Sequence, residues 1–146
     1  MNPETYLAQL LSLPAVDHAL LSPDGRWVAF NWYRIHANMD VFLVPTDGSA
    51  PPVALTNTSE FTELESWTSD SRAVIVSEDH DRDEHSRLFR VDIEHPGVMQ
   101  PLTQDRPPFF IRSGYLSPDG GSLYYGANYD FASQQVLEPT WVYCHD

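Results

Sequence analysis

The chain of 146 residues suits one ordinary domain, and 42% apolar residues supply a packed core rather than a disordered segment. Its 21 acidic residues outnumber 8 basic ones, all arginine, giving a net charge of −13. That surface repels nucleic-acid phosphates and anionic lipid, which argues against nucleic acid or membrane as partners.

The opening, MNPETYLAQLLSLP, has no basic stretch and carries Glu4 early, so it does not read as a secretory signal. No apolar run reaches bilayer-spanning length, and a cytoplasmic protein is expected. Asn2 suits a helix N-cap, Pro3 the first helical position and Glu4 the first turn. Tyr6, Leu7, Leu10 and Leu11 recur at helical spacing until Pro14 ends the run. A short helix over the lead-in, residues 1–15, is predicted, with its apolar stripe capping a core.

Next comes LSPDGRWVAF, from Leu21 to Phe30, and the chain returns to it as LSPDGGSLYY, from Leu116 to Tyr125. Pro presets φ, Asp bonds its own backbone and Gly accepts positive φ, so each phrase reads as strand, tight turn, strand. A degenerate copy lies between them from Trp67 to Val76, with Ser69 for Pro and Ser71 for Gly. Leu21 to Trp67 is 46 residues and Trp67 to Leu116 is 49. Third strands are predicted at 40–44, 87–92 and 140–144. Fourth strands follow at 52–56 and 98–103, where Leu55-Thr56 and Leu102-Thr103 recur 47 residues apart.

Four antiparallel strands in a unit of about 45 residues is the arithmetic of a β-propeller blade. The second strands are apolar on consecutive positions, as a strand covered on both faces would be. A β-sandwich is the structural alternative, but it gives no reason for the period or the repeated turn. The expectation is an all-β partial propeller: blade one at 16–58, blade two at 59–107 and an incomplete blade three at 108–146. Propellers close with four to eight blades. The sequence is therefore expected to be part of a longer protein and to self-associate through exposed blade ends.

These repeats resemble those of TolB-like proteins and of the prolyl oligopeptidase family of serine peptidases. The lead-in ETYLAQLLSLP running into VDHALLSPDGRWVAF is similar to the opening of the acylaminoacyl-peptidase and dipeptidyl-peptidase-like branch. The resemblance implies a gating propeller partnered by a C-terminal α/β-hydrolase domain that cleaves short peptides. It implies no cofactor. No G-x-S-x-G elbow occurs here, so no catalytic residue is assigned. The alternative function is a non-enzymatic TolB-like module that binds a protein partner.

Two loops invite a binding role. Residues 78–85 gather Asp81, Asp83 and Glu84 with His80 and His85. They form a solvated hairpin loop, with a metal site or a contact to a substrate's amino terminus as the sharper alternatives. Tyr33 and Arg34 lie in the corresponding loop of blade one, residues 31–38, where aromatic and polar groups mix as in binding loops. The aromatics Trp32, Tyr33 and Phe131 are expected to pack between blades. Trp67 and Trp141 fall inside predicted strands and are assigned to the core, and Cys144 is expected to be packed and inert.

Overall fold

A computed structural model describes residues 2–36, 38–83, 85–103 and 111–146. Helix α1 (Pro3–Leu11) starts as predicted: the Asn2 side chain accepts the Glu4 N–H at 3.0 Å, and Pro3 needs no N–H partner. Its stripe does not cap a core. Tyr6, Leu7, Leu10 and Leu11 are each about half exposed, and no residue of the helix is buried. Helical spacing identifies an apolar face but not what covers it.

Among the described residues, eleven strands then form three meandering antiparallel sheets. The first contains β1 (Ala15–Leu21), β2 (Trp27–Tyr33), β3 (Met39–Pro45) and β4 (Val53–Ala54). The second contains β5 (Thr62–Trp67), β6 (Ala73–Glu78), β7 (Arg87–Asp92) and β8 (Met99–Pro101). The third has three strands, β9 (Ile111–Leu116), β10 (Leu123–Asp130) and β11 (Gln135–His145), with β11 at one edge.

The three β1–β2-type turns share one hydrogen-bond circuit. The lead hydroxyls of Ser22, Thr68 and Ser117 donate to Asp24, Asp70 and Asp119 at 2.6, 2.7 and 2.6 Å. The same oxygens accept the N–H of Trp27, Ala73 and Ser122 at 3.0, 3.0 and 2.9 Å. Each carboxylate also accepts the N–H two residues on, from Arg26, Arg72 and Gly121. The fourth turn position has φ of 72° at Gly25, 60° at Ser71 and 73° at Gly120. Glycine adopts this without cost; Ser71 is strained there, and its hydroxyl is held by accepting the Asp24 N–H at 3.0 Å from the neighbouring sheet. Ser69, in place of proline, donates to the Pro118 carbonyl at 2.7 Å on the other side. Both departures from the repeat are thus links between sheets.

The sheets stack face to face. Ala29, Val41, Leu43 and Leu55 of the first pack against Leu64, Trp67, Val74, Val76 and Val91 of the second. The opposite face of the second sheet presents Ile75 and Leu88 to Leu123, Tyr125 and Ala127 of the third. Consecutive residues of β6 therefore enter two different cores, which accounts for its unbroken apolar run; each fully buried Val or Ile is worth about 1.5–3 kcal/mol. Gly114 permits the close approach of the third sheet, because a Cβ there would lie 2.8 Å from Leu88 Cδ2.

Polar groups fix the offset between sheets. Asn31, 1% exposed, donates from Nδ2 to the Thr62 carbonyl and accepts the Leu64 N–H at Oδ1, both at 2.9 Å. Trp67 Nε1 donates to the Leu20 carbonyl at 3.0 Å, and Ser66 Oγ donates to the Gly114 carbonyl at 2.6 Å.

Two core assignments are corrected. Trp67 is buried at 7%, but Trp141 is 58% exposed and Cys144 is a free, exposed thiol. Both lie on β11, where no further strand or sheet covers them among the described residues.

Two outcomes are expected. Asn31→Ala strands a buried carbonyl and a buried N–H, and should lower stability in urea titration by about 2–4 kcal/mol; a loss under about 0.5 would show that the amide is not a fastener. The Ser22 hydroxyl, with the Arg26 N–H and guanidinium, lowers the Asp24 carboxyl to about 2. A depressed carboxylate stabilises the fold above its unfolded value of about 4, and that contribution is lost as pH falls through about 2. Between pH 4 and 2, the denaturation midpoint of Asp24→Asn should therefore fall less than that of the unchanged chain.

Candidate functional site

The turns described above occupy one end of the stack. The opposite end gathers the loops after β2, β6 and β10 and the links between sheets, and it carries the residues singled out for binding. Here residues 59–61, leading into β5, meet Asn38 and the loop tip at 81–82. Asn38, Ser59, Glu60, Phe61, Asp81 and Arg82 line a cleft of about 310 Å³.

Backbone geometry aims these side chains. Asp81 and Arg82 have φ of 53° and 59°, a left-handed pair that reverses the loop tip. The Asp81 N–H donates to Glu60 Oε2 at 2.8 Å, Arg82 Nη2 donates to Asn38 Oδ1 at 3.1 Å, and Asn38 Nδ2 donates to the Ser59 carbonyl. The Asp81 N–H holds the Glu60 carboxyl below its usual range. Asp83 is lowered likewise, chiefly by the His85 N–H at 2.9 Å.

Neither Tyr33 nor Arg34 lines this cleft. The Tyr33 ring meets Phe61 edge-on at 6.4 Å, so it packs toward the second sheet as expected. Trp32 instead meets Phe42 of its own sheet edge-on at 5.1 Å, and Phe131 joins Tyr125, Tyr129 and Tyr143 in the third. Arg34, at φ 68°, lies 4.9 Å over the Tyr33 ring and donates to the Leu13 carbonyl at 3.0 Å, tying the lead-in to the loop. Asp83 lies outside the cleft, in a smaller neighbouring hollow with His80, His85 and Arg87. Glu84 lies outside the described residues.

The spacing of His80 and His85 suggested a shared metal. The structure separates them. His85 faces Asp83 at 3.4 Å, whereas His80 joins Glu60 and Asp81 in a trio whose ligand atoms lie within 4.8 Å of one another. Glu60 comes from a distant link, so no local spacing reveals it. The side chains of His80 and Asp81 are 77% and 86% exposed, which leaves the trio in water.

A second constellation was also missed. Asp40, on β3 and 0% exposed, meets His36 Nδ1 at 2.7 Å. It also accepts from Thr56 Oγ1 at 2.8 Å and from the Thr58 N–H at 3.3 Å. The only signal in the sequence is one carboxylate inside the apolar strand Asp40-Val41-Phe42-Leu43. Three groups converge on Asp40, and its role is to fasten the link between the first two sheets.

No protein-family model matches the chain, and no similar curated protein was found. Solved structures do match. A putative TolB from Agrobacterium tumefaciens is 22% identical with a TM-score of 0.64, over 87% of this chain and 42% of that one. TolB from Acinetobacter baumannii is 23% identical with a TM-score of 0.62, over 88% and 29%. A prolyl endopeptidase, studied for the role of inter-domain dynamics in catalysis and specificity, is 15% identical with a TM-score of 0.55, over 90% and 20%. The chain spans less than half the length of each. Its three stacked sheets are those of a β-propeller. Within that class the fold is TolB-like, and it is also similar to part of a prolyl endopeptidase.

With two of three ligands in open solvent, the Glu60, His80 and Asp81 trio should not hold a metal tightly. Sub-millimolar zinc is expected to leave the melting temperature unchanged. A rise of several degrees that disappears in His80→Ala would instead assign a metal site.

Proposed function

We propose that the chain is the first part of the gating propeller of a cytoplasmic serine peptidase of the prolyl oligopeptidase family, acting on short peptides. In this reading the chain supplies no chemistry. Its sheets form a rigid wall, and its loop end helps to admit substrate and dock an α/β-hydrolase domain. Acyl transfer through serine takes place in that domain, where backbone N–H groups hold the oxyanion.

The observation that carries the reading is the prolyl endopeptidase likeness. It takes in 90% of this chain yet only 20% of that protein, which leaves most of such a protein for other parts. The lead-in and first hairpin add the resemblance to the acylaminoacyl-peptidase branch. The charge of the loop end is compatible: Asp81, Asp83 and Glu60 present carboxylates that attract the protonated amino terminus of a peptide, and the net charge of −13 strengthens that field.

A second reading is favoured by the higher TM-scores of the two TolB structures. In it the propeller binds a protein partner and catalyses nothing. Fold alone does not separate the two.

A fluorophosphonate probe does. Lysate labelled with the probe and captured with an antibody against residues 1–146 should yield a labelled band far larger than 16.6 kDa. A large captured band without label would sink the peptidase reading and leave the binding module.

A further inference from the structure

We draw no further inference here: the strongest candidate, the hollow of about 180 Å³ between the β6–β7 loop and the link into β5, where Asp79 Oδ1 and Arg87 Nε are buried without a hydrogen-bond partner among the described residues, is a cluster of mainly acidic side chains on partly exposed residues, and nothing in the structure shows what would fill it.

Discussion

A sheet that is apolar on both faces cannot stand alone in water, and that constraint organises this molecule. β6 sends Val74 and Val76 into one core and Ile75 into the next, so the second sheet needs a neighbour on each side. Stacking answers the need, and repetition of the stack is the propeller. The hydrophobic term is indifferent to small slides between sheets. The polar fasteners are not. Asn31, Trp67 and Ser66 each reach a main-chain group of another sheet, and a slide of one residue would orphan it.

The same division of labour shapes the two ends of the stack. At one end the turns are closed circuits of hydroxyl, carboxylate and backbone N–H. At the other the loops are held from a few points, such as Asp81 on Glu60 and Arg34 on the Leu13 carbonyl, and their carboxylates remain exposed. Rigidity sits where the repeat is strictest, and chemical variety sits where it lapses.

Much of the architecture was legible in the sequence, because the repeat is carried by short-range chemistry. Hydroxyl, aspartate and a positive-φ residue within four positions announce a turn, and unbroken apolar runs announce strands covered twice. The helix cap at Asn2 was equally local. What escaped depends on partners far along the chain. Ser69 and Ser71 look like decay of the motif until their bonds to Pro118 and Asp24 are seen. Trp141 and Cys144 sit in a strand pattern indistinguishable from a core strand, yet a pattern does not say whether anything lies beyond it. Glu60 entered the cleft from a link that carries no motif, and buried Asp40 was hidden within an apolar run.

The turn circuits also bear on how the chain is made. Every bond in the Ser22 circuit closes within the span from Ser22 to Trp27, so the first hairpin is complete before anything later exists. Hairpins form in about 1–10 μs, whereas a ribosome adds about 5–20 residues per second. The gap between one hairpin and the next, 46 residues, is thus a wait of seconds. Each turn circuit can thus be closed seconds before the sheet that will cover its strands has been made.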